Sequence, residues 1–200
     1  RLDRARGRGV HGFIVTGVDP SGWARQQALS IEQSDVYFTI GLHPWHVGAL
    51  QDFDEVDRSI ESLEVALHRM RCEKLVGLGE IGLDRAVSRE ASIVARQVRA
   101  MHAQLEIAKR LDHPVVLHIV RAHGLALEVL KTTGVPDAGG VVHSFTGSAE
   151  MAREYQALGL FISFSTGILR HATSRWVAAA NAVAPDRLLV ETDAPDQSPF

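Results

Sequence analysis

Seven short β-rich runs recur along the chain with helical stretches between them: GFIVTG (12–17), VYFTIGLHP (36–44), KLVGLGEIGLD (74–84), PVVLHIV (114–120), GVVHSFTG (140–147), LFISFSTGI (160–168) and RLLVETDAP (187–195). Their apolar residues run almost without interruption, the pattern of parallel strands buried on both faces. The clearest helical pattern between them spans 88–112, with apolar residues at Ile93, Val94, Val98, Met101, Leu105 and Ala108. Strand alternating with helix over a whole chain predicts parallel α/β architecture. A doubly wound open sheet carries a glycine-rich phosphate loop after an early strand, and none is read here. A (β/α)8 barrel instead collects its chemistry at the C-terminal ends of many strands.

The C-terminal halves of these runs carry His43, Glu80 with Asp84, His118, His143 and Asp193, metal-ligand types at the same end of five of the seven. That favours the barrel. Only seven strands are seen, so the reading is a (β/α)8 TIM-barrel-like fold that is incomplete in this chain. With 200 residues, 46% of them hydrophobic and 22% charged, residues 1–200 are expected to form one domain with a sizeable core. The apolar runs are far shorter than the roughly 20 residues of a membrane span. The opening RLDRARGRG lacks the apolar stretch of an export signal, and Cys72, alone, agrees with a reducing compartment. Cytoplasm is the expectation.

The net charge of −3 means that the chain as a whole is no polycation able to hold DNA by counterion release. A polyanionic substrate would need local positive charge from metal ions or a few arginines. Ten histidines is a high share, and neutral imidazole is the commonest protein metal ligand. Glu80 stands in the middle of the apolar run LVGLGEIGLD, where an isolated carboxylate costs several kcal/mol unless paired, protonated or bound to a cation. Each residue alone has an ordinary explanation: His118 and His143 as satisfied core histidines, Glu80 and Asp193 as partners of Arg85 or Arg187. Together, two carboxylates and two histidines ending separate strands of one barrel would converge where a cation is required. Mixed oxygen and nitrogen ligation suits Zn²⁺, Mn²⁺ or Mg²⁺.

The succession GLHPW (41–45), VGLGEIGLD (76–84), PVVLHIVRAH (114–123), VVHSFTGS (141–148) and LLVETDAP (188–195) resembles the TatD family of metal-dependent deoxyribonucleases, an amidohydrolase-like barrel. The resemblance implies that Glu80 binds or bridges one or two divalent ions. His118 and His143 would each ligate a metal, and Asp193 would be the final ligand, placed to orient or deprotonate the attacking water. Glu80 and Asp193 are thus the implied catalytic residues. The substrate would be DNA, single-stranded or at its ends, cleaved at phosphodiester bonds.

Departures accompany the resemblance. The family's opening His-x-His strand has no counterpart, and nothing follows Phe200 where the family continues. The expectation is a chain truncated at both ends, lacking the first strand and the C-terminal helix. The family's arginine two residues after the ligand histidine is Val120 here, with Arg121 next. Arg121 is read as a phosphate contact from a shifted position or as a solvated surface residue. His43 is read as a phosphate-contacting group or a structural partner of Pro44, and Trp45 as a surface on which a base stacks. Asp84 is read as a group orienting a ligand histidine or holding its loop. Gly77, Gly79 and Gly82 allow close backbone approach. His46, His68, His102 and His171 are assigned to surface or helix positions. The other readings are an amidohydrolase-type barrel acting on a small amide, lactone or phosphoester, and a catalytically silent homologue.

Overall fold

The computed structural model describes residues 2–170, 174–194 and 197. Its elements in chain order are α1 (Leu2–Arg6), β1 (Phe13–Val15), α2 (Pro20–Glu32), β2 (Val36–Ile40), α3 (Pro44–Ala49), α4 (Phe53–Arg69), β3 (Leu75–Asp84), α5 (Ala91–Leu111), β4 (Val115–Val120), α6 (His123–Thr133), β5 (Gly140–Val142), α7 (Ala149–Ala157), β6 (Phe161–Ser165), α8 (Gly167–Arg170), α9 (Ser174–Asn181) and β7 (Leu188–Glu191). His171 and Pro195 lie outside the described residues. Local chemistry marks several helix starts. Pro20 and Pro44 stand in first turns, where no amide partner is needed, and Asp19, Asp52 and Ser148 cap α2, α4 and α7 through side-chain oxygens. Among the described residues no helix is long and apolar enough to cross a membrane.

All seven strands are parallel and stand in sequence order, each paired with the next. A doubly wound sheet reverses its order at a switch point, and this one never does. Two stretches match GxGxxG in letters, 7–12 and 77–82. The first lies ahead of β1 and the second within β3, so neither forms the strand-to-helix phosphate turn. Neighbouring strands lie about 4.8 Å apart, so β3 and β7 would be roughly 19 Å apart in a flat sheet. Instead Glu80 of β3 touches His143 at 3.1 Å, and His143 approaches Glu191 of β7 to 3.4 Å. The sheet is curled into an incomplete (β/α)8 barrel, as the alternation predicts.

The strand candidates overrun at their C-terminal ends. The run 36–44 stops pairing at Ile40, 140–147 at Val142, 160–168 at Ser165 and 187–195 at Glu191. Pro44 lacks the amide a ladder needs, and Ser144 and Asp193 take φ values of +45° and +48° that no strand accommodates. His43, His143 and Asp193 therefore sit on the turns just beyond their strands rather than within them.

Helix α5 positions the rim. Its buried face includes Met101, Leu105, Ile107 and Ala108, and also two polar residues that apolar periodicity does not mark, Gln97 and Gln104. Seven positions apart, they share one face. Gln104 receives Leu42 N at 2.7 Å and donates to Leu42 O at 3.2 Å, while Gln97 receives Asp84 N at 3.0 Å and donates to Pro44 O at 3.2 Å. Backbone polar groups that the strand ladder releases at the ends of β2 and β3 are satisfied by these amides, as burial requires.

Close approach explains the glycines of β3. A Cβ on Gly79 would stand 2.6 Å from Val116 Cβ, and one on Gly82 would collide with His118 O. Gly82 also holds φ at +141°, a region open essentially to glycine alone. Gly82→Ala is expected to cost about 3 kcal/mol or more, because overpacking and backbone strain add. Chemical denaturation checks this; a loss under about 1 kcal/mol, the ordinary effect of a point substitution, would contradict it.

Candidate metal centre

Six strands or the turns just beyond them deliver side chains to one end of the sheet, where two neighbouring groups, His43 with Glu80 and His118, and His143 with Glu191 and Asp193, could each hold an ion. Glu80, 9% exposed, joins the two, with Oε2 3.4 Å from His118 Nδ1, 3.1 Å from His143 Nε2 and 3.4 Å from His43 Nε2. Its other oxygen accepts a hydrogen bond from the Thr16 hydroxyl, just beyond β1. His118 Nδ1 and His143 Nε2 are 3.2 Å apart. Asp193 joins from beyond β7: single ligand atoms of His143, Glu191 and Asp193 all lie within 4.8 Å of one another. The geometry thus brings Glu80, His118, His143 and Asp193 into one chain of contacts.

Each of the two inner histidines turns one nitrogen to the centre and the other to a carboxylate. His118 Nε2 lies 3.4 Å from Asp84 Oδ2, and His143 Nδ1 lies 3.4 Å from Glu191 Oε1. Carboxylates behind imidazoles in this way fix the tautomer and ring orientation of metal-binding histidines. Asp84 is itself held, accepting from Trp45 Nε1 at 2.7 Å and Ala86 N at 2.7 Å. Glu191 accepts from Ser144 N at 2.6 Å. Sequence reasoning singled out Asp84 but passed over Glu191. The signal was present: Glu191 is a carboxylate closing an apolar strand two residues before Asp193, as Glu80 is a carboxylate inside one.

His43 differs. Its Nδ1 accepts a hydrogen bond from Trp45 N at 3.0 Å, so in the neutral ring the proton is on Nε2, which faces Glu80. Although His43, Glu80 and His118 are close enough together to hold an ion, that tautomer makes His43 a donor to the carboxylate rather than a lone-pair ligand. Burial pushes its pKa down and keeps the ring neutral.

The electrostatics follow from these contacts. Burial works against the Glu80 anion, but hydrogen bonds from His118, His143 and His43 outweigh it and hold the carboxyl far below its usual range. Burial likewise works against the His143 imidazolium, yet Glu191 and Glu80 push its pKa up to about 10. His118 is raised in the same way, its burial outweighed by Asp84 and Glu80. Asp193 is raised by burial. Protons shared among buried carboxylates and imidazoles are what a divalent cation replaces, and the donor set of two inward imidazole nitrogens with two carboxylates fits such an ion.

Arg121 and Trp45 lie at the rim. Arg121, exposed, follows β4 directly with φ +53° and, among the described residues, makes no hydrogen bond with the cluster. Trp45 is 50% exposed, its indole anchored on Asp84 and its ring centroid 6.1 Å from that of His118. Three of the four described non-glycine residues with positive φ, Arg121, Ser144 and Asp193, stand just past the ends of β4, β5 and β7. Backbone strain concentrated at one rim is typical of functional sites.

A family model described as TatD related DNase matches residues 1–200. Among curated proteins, the chain is 39% identical to the metal-dependent hydrolase YjjV of Escherichia coli K12 over 197 residues, covering 98% of this chain and 72% of that protein. It is 35% identical to the 3'-5' ssDNA/RNA exonuclease TatD of Klebsiella pneumoniae strain 342, covering 96% of this chain and 70% of that one. Among solved structures, YjjV, a TatD homologue from Escherichia coli K12, superposes with a TM-score of 0.85 at 35% identity, over 98% of this chain and 72% of its own.

Proposed function

This chain belongs to the TatD family of metal-dependent hydrolases, and from that premise we propose that it is a nuclease cleaving phosphodiester bonds of DNA, single-stranded or at its ends. The observation that carries the reading is Glu80 buried between two histidines whose outer nitrogens face Asp84 and Glu191. Glu80, His118 through Nδ1, His143 through Nε2 and Asp193 would hold one or two divalent ions. When bound, such an ion activates water as a nucleophile and offsets the charge that builds on phosphoryl oxygens. Asp193, its carboxyl raised by burial, is suited to accept the proton of the attacking water. His43 holds an Nε2 proton toward the centre, which Glu80 faces in the absence of substrate and which an incoming phosphoryl oxygen would accept in its place. Arg121 contributes positive charge at the rim, and the half-exposed Trp45 offers a face for an unpaired base, a contact worth about 1–3 kcal/mol. Kinship with proteins named as single-strand exonucleases supports that substrate class.

The test is Mn²⁺-dependent cleavage of an end-labelled single-stranded oligonucleotide. Asp193→Asn is expected to lower kcat by at least about 100-fold, since general-base assistance contributes about 10²–10⁴. Turnover of small esters or lactones without DNA cleavage would overturn the nuclease reading.

A further inference from the structure

Asp193 stands in a left-handed conformation beyond the last strand, where the sheet does not hold it, and its orientation must come from side chains. One amide supplies it. Gln197 Nε2 donates to Asp193 Oδ2 at 2.6 Å and to Ser144 Oγ at 2.7 Å. Gln197 Oε1 accepts from the Ser165 hydroxyl, and the two serine oxygens are 3.0 Å apart. The backbone of Gln197 is anchored as well: its N–H donates to Asp193 O at 3.1 Å, and its carbonyl accepts from the Thr166 hydroxyl. With Oε1 committed to Ser165, the amide can only present N–H to the carboxylate.

The same network reaches the neighbouring histidine. Ser144, which receives Gln197 through its hydroxyl, donates its own N–H to Glu191, the carboxylate behind His143. Space for the amide is kept by Gly167, where a Cβ would come within 2.5 Å of Gln197 Oε1 and 3.3 Å of Ser165 Oγ.

We infer that Gln197 is a positioning residue: its amide ties the Asp193 carboxylate to Ser144 and Ser165 and so holds Asp193 in its ligating orientation. The inference rests on Asp193 being a metal ligand, not on the nature of the substrate. The amide holds Asp193 Oδ2, so it is the Oδ2 side of the carboxylate whose direction Gln197 sets. The arrangement couples the ends of β5, β6 and β7.

Isothermal titration of the whole chain with Mn²⁺ tests this. Gln197→Met keeps the side chain's length and removes its donors. It is expected to retain the fold and to weaken Mn²⁺ binding about 10–100-fold, the usual cost of losing an outer partner of a ligand. Gly167→Ala, which displaces the amide without altering it, should shift affinity in the same direction. In the double variant Asp193→Asn/Gln197→Met, affinity should match Asp193→Asn alone within about twofold, because both changes act on one carboxylate. Wild-type affinity in Gln197→Met, or additive losses in the double variant, overturns the inference and leaves the ligand set standing. If Asp193→Asn itself binds Mn²⁺ as wild type does, the ligand reading fails and the inference with it.

Discussion

Glu80→Gln is expected to lower divalent-dependent kcat/KM by at least about 10³-fold, or about 4 kcal/mol in the barrier, and to weaken Mn²⁺ binding in parallel. No other described side chain contacts both inner histidines and His43 at once, with Oε2 3.1–3.4 Å from all three rings. Replacing that oxygen by an amide removes the charge that attracts a cation and directs a donor toward His43 Nε2, which already carries a proton in the neutral ring. The effect exceeds that of removing an outer partner such as Asp84 or Glu191, for which about 10–100-fold is ordinary. Steady-state assays at saturating Mn²⁺ decide the matter. Activity within tenfold of wild type would remove Glu80 from the ligand set.

The second large effect concerns pH. In the metal-free protein His143 is raised to about 10 because Glu191 and Glu80 outweigh its burial. A histidine bound more tightly to its proton in the folded state contributes stability that is fully present below its unfolded pKa of about 6.5 and is lost as pH rises through the folded value. Stability of the EDTA-treated protein should therefore fall between about pH 6.5 and pH 10, by about 2 kcal/mol or more, corresponding to about 4–8 °C in Tm for a chain of this size. The acid side has the opposite origin. His123, buried beside Tyr155, is lowered to about 4, and Glu80 lies below its usual range, so both lose stability as pH falls. Mn²⁺ should flatten the alkaline decline, since ligation takes the nitrogen lone pair that otherwise holds the proton. Calorimetry at pH 6.5, 8 and 9.5 with EDTA and with Mn²⁺ provides the check. An alkaline profile that is level without metal would refute the charge arrangement.

Much of the site was legible because its chemistry is local. Glu80 interrupts an apolar strand, and His118 sits within another, so each stands out against its own segment. Asp84 was legible as a group orienting a ligand histidine, but which histidine was not, and Glu191 was passed over. Their function is to face the outer nitrogen of a histidine on a different strand, and pairings between strands have no signature in spacing. Gln197, Thr16 and Ser144 carry no signal of their own, being common polar residues in turn-rich segments. Gln97 and Gln104 interrupt the apolar face of α5 only because specific backbone groups at the ends of β2 and β3 need partners.

What the sequence alone determined was the class of fold and the most conspicuous candidates for its metal centre. Continuous apolar runs can be buried only between layers, alternation with helices makes the strands parallel, and a carboxylate in such a run must be paired, protonated or bound to a cation. What only the tertiary structure decided was the closeness and direction of the groups. Curling the sheet brought Glu80 against His143, the Trp45 amide placed the proton of His43, and Asp84 and Glu191 turned the inner imidazole nitrogens to one centre. Those choices depend on register, backbone strain beyond the strand ends and hydrogen-bond geometry, and each is set by residues distant in the chain.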